Sequence, residues 1–256
     1  MSCVSNVRPR PLPAFQPVRA RRAFEAVVEQ IVDLIRSGDL HAGDRLPGER
    51  ELAEQLGVSR PTLREAIRTF VDAGVIAIRR GPGGGMFVAT DLLPPALLAE
   101  RREMRISEVS AVLEARRVLE PGVAQLAAVH ATDADFAAME RTLQLQRDHA
   151  HDWERLLQLD TRFHLDMARA THNPTLVGLV KPLLRQLEVA RDMALRGPHV
   201  AAWTLDIHRR TIDALRRGDP MEIAVVMDEH LATAEDAWAE ETGAASRRVI
   251  PAALRR

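Results

Sequence analysis

The sequence predicts a mainly α fold: an N-terminal winged helix-turn-helix with a two-stranded wing, then an antiparallel all-α bundle of six or seven helices. Three observations carry this. Two short helical patterns flank the tight turn Gly57-Val58-Ser59. Two short β-type runs flank Gly81-Pro82-Gly83-Gly84-Gly85 directly afterwards. From Ile106 onward, helical periodicity continues to about residue 240, interrupted only by helix-start and turn residues.

In chain order, residues 1–20 are rich in Pro and Arg, have no apolar h-region, and read as a disordered arm. A first helix is predicted from Arg22 to Ser37, because Phe24, Val27, Val28, Ile31, Leu34 and Ile35 fall on one face and Gly38 follows. The stretch from Leu46 to Leu63 is the helix-turn-helix. Ser59 suits the N-cap of its second helix, and Pro61 lies in the first turn, where the helix needs no N–H. Leu63, Ile67 and Phe70 are its core face, and Gly74 ends it. Val75–Arg80 and Met86–Val88 are the wing strands. The glycine-rich tip between them is no phosphate loop, since it lacks the Lys-Ser/Thr ending and opens a strand instead of a helix.

Residues 21–90 thus form one domain, and the proline-containing stretch 91–105 is expected to be a linker. The second domain, 106–241, is divided into helices over 107–130, 133–150, 153–171, 175–196, 199–217 and 220–240. The breaks fall at Thr132-Asp133, Asp152, Asn173-Pro174, Gly197-Pro198 and Gly218-Asp219-Pro220. Pro121 and Pro182 lie inside predicted helices and imply kinks or a split. Residues 242–256 are expected to fray.

Bulk properties exclude more than they assign. The net charge of -1 is uneven: residues 1–90 hold 13 Arg against 10 acids, a modest excess that a solvated surface explains as well as a polyanion partner does. One cysteine, Cys3, excludes an internal disulfide and fits a reducing compartment. No apolar run approaches the roughly 18 residues of a membrane span. The expected location is cytoplasmic, with no membrane partner.

A helix-turn-helix whose second helix opens with Ser59, Arg60, Thr62 and Arg64 presents donors where such motifs meet the major groove of DNA. Arg60 and Arg64, at i and i+4, share a face. In the bundle, Asp160 and His164 are likewise i, i+4 and can reach one ion. His208 and His230 stand nearly equal distances either side of the Gly218-Asp219-Pro220 turn. An antiparallel hairpin therefore places both roughly 16 Å from the turn, side by side. Spacing alone does not say whether that hairpin meets the Asp160 helix. The other histidines (His41, His130, His149, His151, His172, His199) fall at helix ends or loops, where exposure is the default.

The motifs G-D-R-L-P-G-E-R-E-L-A at 43–53, G-V-S-R-P-T-L-R-E-A at 57–66, G-V-I at 74–76 and G-G-M-F-V at 84–88 resemble the winged helix of the GntR family of bacterial transcription regulators. Residues 106–240 resemble the FCD ligand-binding domain of its FadR subfamily. They carry R-R-V-L-E-P at 116–121, D-x-x-F-H at 160–164, H-N-P at 172–174 and H…G-D…H at 208–230. The resemblance implies DNA contacts by Arg50, Ser59, Arg60, Thr62 and Arg64, with Arg80 and Gly81 at the minor groove. Pro61 departs from relatives with a polar residue there; it cannot donate, so its contact is apolar at most.

The resemblance also implies that Asp160, His164, His208 and His230 hold one divalent transition metal, zinc or nickel first among them. Positions left on the ion would take a small carboxylate, with Arg116 as its partner. Equally, Arg116 can form a surface ion pair with Glu120 at i+4. The implied function is a homodimeric regulator, a repressor by default, that reads a palindromic operator and answers to an organic acid. A metal-responsive regulator is the alternative. A metal-dependent hydrolase is disfavoured, because no independent general base accompanies the ligands.

Overall fold

The computed structural model describes residues 23–94, 97, 106–187 and 200–243. The N-terminal arm, most of the 91–105 linker, residues 188–199 (the end of the helix expected over 175–196, the Gly197-Pro198 break and His199) and the tail beyond 243 lie outside the described residues.

The head is built from α1 (Ala23–Arg36), α2 (Glu49–Leu56), α3 (Arg60–Asp72), β1 (Ile76–Arg79) and β2 (Gly85–Val88). α1 buries Val27, Ile31 and Ile35 as the spacing predicts, and Val32 in addition. Gly57 ends α2 in the left-handed region (φ 66°), which turns the chain sharply into Ser59. Ser59 caps α3 by accepting from the Thr62 N–H at 3.2 Å, with Pro61 in the first turn. Leu63, Ile67 and Phe70 close the core against α1, joined by Val75, Ile76 and Val88 from the wing.

The wing strands pair antiparallel with Ile76 opposite Val88 and Arg79 opposite Gly85. At the tip, a Cβ on Gly84 would lie 2.5 Å from the Arg79 carbonyl oxygen, so only glycine fits. The sequence reading missed a third piece of this hairpin. Residues 43–46 run along β2, with Gly43 N–H donating to Val88 O at 2.8 Å and Leu46 N–H to Met86 O at 2.9 Å.

Six helices of the bundle are described: α4 (Ile106–His130), α5 (Asp133–Asp148), α6 (Trp153–Arg169), α7 (Pro174–Gln186), α8 (Val200–Arg217) and α9 (Pro220–Thr242). Residues expected from sequence to mark breaks act as N-caps. Thr132 forms a capping box with Asp135, while Asp152, Asn173 and Asp219 each accept from the first turn of α6, α7 and α9. Of the kinks or split anticipated at Pro121 and Pro182, the split does not occur; α4 and α7 run through them. In α7 the carbonyl that Pro182 leaves without its helical donor belongs to Gly178, an exposed residue that water can reach. No described helix is long and apolar enough to cross a membrane.

Head and bundle meet along α6 and α7. Asp91, just past the wing, takes Arg155 at 2.7 Å and Arg162 at 3.1 Å. Asp39, after α1, takes Arg169 at 2.6 Å and Lys181 at 3.4 Å. Arg185 reaches back to Asp33 and Glu29 on α1. Leu93 is fully buried in the head's core, so the chain leaving the wing is docked at its start.

Candidate DNA-reading face and metal centre

Arg60 and Arg64 project from the first two turns of α3 and are more than half exposed. Both are held by one carboxylate: Arg60 Nε donates to Glu49 Oε1 at 2.9 Å and Arg64 Nε to Glu49 Oε2 at 2.8 Å. The Arg64 hydrogen bond lowers the Glu49 carboxyl most; burial opposes it, and with Arg60 added the net is a value below the ordinary one. Ser59 and Thr62 hydroxyls lie 2.7 Å apart at the helix tip. Arg50, Arg80 and Gly81 are exposed. On the wing, Arg45 donates to the Gly84 carbonyl at 2.9 Å, and the Arg79 guanidinium lies 4.5 Å from the Phe87 ring centroid.

In the bundle the structure joins what spacing could not. Asp160 and His164 on α6, His208 on α8 and His230 on α9 are all buried, and one ligating atom from each lies within 4.8 Å of the others. The hairpin symmetry is realised, with the His208 and His230 ring centroids 4.9 Å apart. Phe163 stacks on His208 at 3.8 Å and forms the floor beneath it.

A layer of acceptors behind the rings orients them. His208 Nδ1 lies 2.7 Å from Gln146 Oε1, and His230 Nδ1 lies 3.3 Å from the Thr211 hydroxyl, which itself donates to the Ile207 carbonyl. With Nδ1–H donated to Gln146, His208 turns its Nε2 lone pair toward Asp160 Oδ1, 3.3 Å away. A lone pair facing a carboxylate in a buried site is an arrangement that a cation between them relieves. A tetrahedral zinc with bonds of about 2.0–2.1 Å separates its ligand atoms by roughly 3.4 Å. The His208–Asp160 distance of 3.3 Å already matches this, and the widest separation, up to 4.8 Å, must contract by about 1.4 Å. The residues fit a divalent metal.

His164 is tied more elaborately. Its Nδ1 lies 2.8 Å from Glu120 Oε2, and its Nε2 lies 3.0 Å from Arg116 Nη2. Arg116 Nε in turn donates to Glu120 Oε1 at 2.8 Å. Burial raises the Glu120 carboxyl, but Arg116 and His164 together outweigh it and hold it far below its ordinary value. For His164, burial lowers the pKa, Glu120 pulls it up and Arg116 lowers it further; the net lowering leaves the neutral imidazole that a metal requires. The Arg116–Glu120 pair read from i, i+4 spacing is real, but it is buried and not on the helix surface. α4 turns Arg116, Arg117 and Glu120 inward, and Arg117 is held there by Glu235 and Asp228.

With this geometry, the chain matches the description "Bacterial regulatory proteins, gntR family" over residues 23–88 and the FCD domain over residues 111–233. It is 31% identical over 221 residues to the uncharacterized HTH-type transcriptional regulator YcbG of Bacillus subtilis, covering 86% of this chain and 91% of that one. The chain belongs to the GntR family. This GntR protein is also 33% identical to the putative L-lactate dehydrogenase operon regulatory protein of Escherichia coli, over 84% of this chain and 85% of the relative. LutR of Bacillus subtilis is 30% identical over 79% and 95% of the two chains. The solved structure of McbR/YncC from Escherichia coli aligns with a TM-score of 0.50 at 19% identity, covering 86% and 99%, and shows the fold. The family identifies a DNA-binding transcriptional regulator, and these relatives are regulators, not enzymes.

Of the residues anticipated from sequence, the structure brings together the four metal-site residues with Arg116, and it brings Arg60 together with Arg64. Sequence reasoning missed Glu49, Gln146, Thr211 and the inward placement of Glu120. Glu49 precedes Arg60 by eleven positions and Gln146 precedes His208 by 62, spacings with no local periodicity to reveal them.

Proposed function

We propose that this GntR regulator is a homodimeric repressor whose operator affinity is set by a small carboxylate bound at a divalent metal, zinc or nickel, in the FCD domain. The observation that carries the reading is the buried Asp160–His164–His208–His230 cluster with an acceptor behind each ring. When bound, the ion supplies a Lewis-acidic anchor for a carboxylate.

Arg116 supplies the second anchor. Its Nη2 lies at the His164 Nε2 lone pair, the same lone pair a metal ligand gives up. Metal loading would release that edge of the guanidinium for the effector while Glu120 keeps its Nε fixed. The Escherichia coli relative is named for an L-lactate dehydrogenase operon, so 2-hydroxy carboxylates are the first class to test.

Arg50, Ser59, Arg60, Thr62 and Arg64 are assigned to the major groove, with Arg80 and Gly81 to the minor groove. Homodimerisation is supported by the outward stripe of α4. Val118, Gly122, Gln125 and Val129 carry no charge, and the two valines are 70% and 74% exposed. Met221 and Val225 on α9 are exposed as well.

The test is binding of a duplex selected from a random pool by the wild-type protein, with metal and then with metal plus organic acids. Release on adding acid supports the proposal. Release by metal alone indicates a metal-responsive regulator. Equal binding after Arg60→Ala plus Arg64→Ala contradicts the assignment of α3.

A further inference from the structure

We infer that Glu49 is a positioning residue that presets both recognition-helix arginines for base reading. Exposed ion pairs contribute little to stability, so the shared carboxylate calls for another role. Glu49 takes the Nε of each arginine, one on each oxygen. A guanidinium carries five N–H donors, and an end-on contact with guanine O6 and N7 uses the two Nη groups. Anchoring Nε therefore fixes the planes of two long side chains with their outer Nη edges left for the groove. The negative charge of Glu49 also opposes loose phosphate binding by the same arginines, which favours the specific over the non-specific complex.

This inference rests on α3 being the base-reading helix. It is tested with the full-length protein, the selected duplex and a scrambled duplex, in a salt series. Glu49→Gln is expected to reduce the ratio of selected to scrambled affinity about tenfold, the order of one bidentate base contact. Affinity for the scrambled duplex should hold or rise, with no change in thermal midpoint. An unchanged ratio overturns the inference, as does equal loss on both duplexes with a lowered midpoint. If Arg60→Ala plus Arg64→Ala also keeps the ratio, the reading of α3 itself has failed. If that variant collapses the ratio and Glu49→Gln does not, only the role of Glu49 has failed.

A separate observation concerns α6. At about 100° per residue, Asp160 and His164 lie on one face, while Arg155, Gln158, Arg162 and Arg169 lie roughly opposite. The first face belongs to the metal cluster. The second holds the head: Arg155 and Arg162 grip Asp91, Arg169 grips Asp39, and Gln158 exchanges two hydrogen bonds with the Leu93 backbone at 3.0 and 3.4 Å. We propose that α6 is the lever that couples the metal centre to the DNA-binding head, with Asp91 as its grip. Coupling of this kind is reciprocal: if metal alters DNA affinity, DNA alters metal affinity by the same factor.

The measurement is zinc affinity with and without the selected duplex, in wild type, Asp91→Asn and Arg162→Gln. Wild type is expected to show a several-fold difference. Both variants should bring the factor toward one while leaving the zinc affinity of the DNA-free protein unchanged. Full coupling retained in folded Asp91→Asn and Arg162→Gln overturns the lever, as does a wild-type factor of one. No zinc binding at all overturns the metal reading beneath it.

Discussion

Glu120 offers the sharpest energetic test of the buried centre. Its carboxylate is fully enclosed and receives Arg116 Nε at 2.8 Å, with His164 Nδ1 at the same distance on its other oxygen. Replacing it by alanine leaves the Arg116 charge buried without its counter-ion. Removing one partner of a buried pair costs about 3–5 kcal/mol. The Glu120→Ala variant should therefore unfold about 4 kcal/mol more easily, a fall in thermal midpoint on the order of 10 °C for a domain of this size. Glutamine keeps one acceptor for Arg116 and should cost less. Replacing both partners, as Arg116→Met with Glu120→Leu, removes the stranded charge and should recover most of the loss. Zinc affinity should fall about 10- to 100-fold in Glu120→Gln, because the acceptor behind a ligand histidine sets its orientation. Denaturant unfolding in chelator and zinc titration check the two effects. A loss under about 1 kcal/mol in Glu120→Ala, with zinc affinity intact in Glu120→Gln, would refute the reasoning.

Three further outcomes follow from the same geometry. Zinc at about a hundred times its Kd should stabilise the wild type by about 2.7 kcal/mol, and His208→Ala should abolish that gain in a thermal-shift assay. Burial raises the Asp91 carboxyl, but Arg155 and Arg162 outweigh it and hold it below its ordinary value. A carboxyl lowered on folding stabilises above its unfolded value and loses that contribution as pH falls through the folded one. Asp91→Asn should thus be less stable than wild type at pH 7, with the difference shrinking below about pH 4. If the proposed homodimer forms through α4, placing glutamates at Val118 and Val129 should shift it to a monomer in light scattering without lowering the thermal midpoint of the bundle; a dimer that persists removes α4 from the interface.

What could be read from the sequence, and what could not, divides along the range of the interactions. Thr132, Asp152, Asn173 and Asp219 announce helix starts because a capping side chain acts within three residues of itself. The pairing of His208 with His230 was legible because a hairpin turn converts sequence distance into height. The approach of α6 to that hairpin came from resemblance, since packing between distant helices leaves no periodic trace. Arg116 shows the limit most clearly. The i, i+4 rule found its partner Glu120, but the rule is blind to which face of a helix is buried, and α4 turns these charged residues inward while Val118 and Val129 face out. The docking of Asp91 on α6 was hidden for a related reason: prolines and charges after the wing mark a change of pattern, and the contact lies 64 residues ahead.

The most direct test of the central claim is the affinity of the selected duplex for metal-free, zinc-loaded, and zinc-plus-carboxylate protein, measured across a panel of small hydroxy acids in wild type and His208→Ala. The account predicts that at least one acid weakens the wild-type complex about tenfold or more, a coupling within the usual range for allosteric ligands, and that His208→Ala shows no response. Identical affinity in every state of the wild type, or a full response retained without His208, would contradict it.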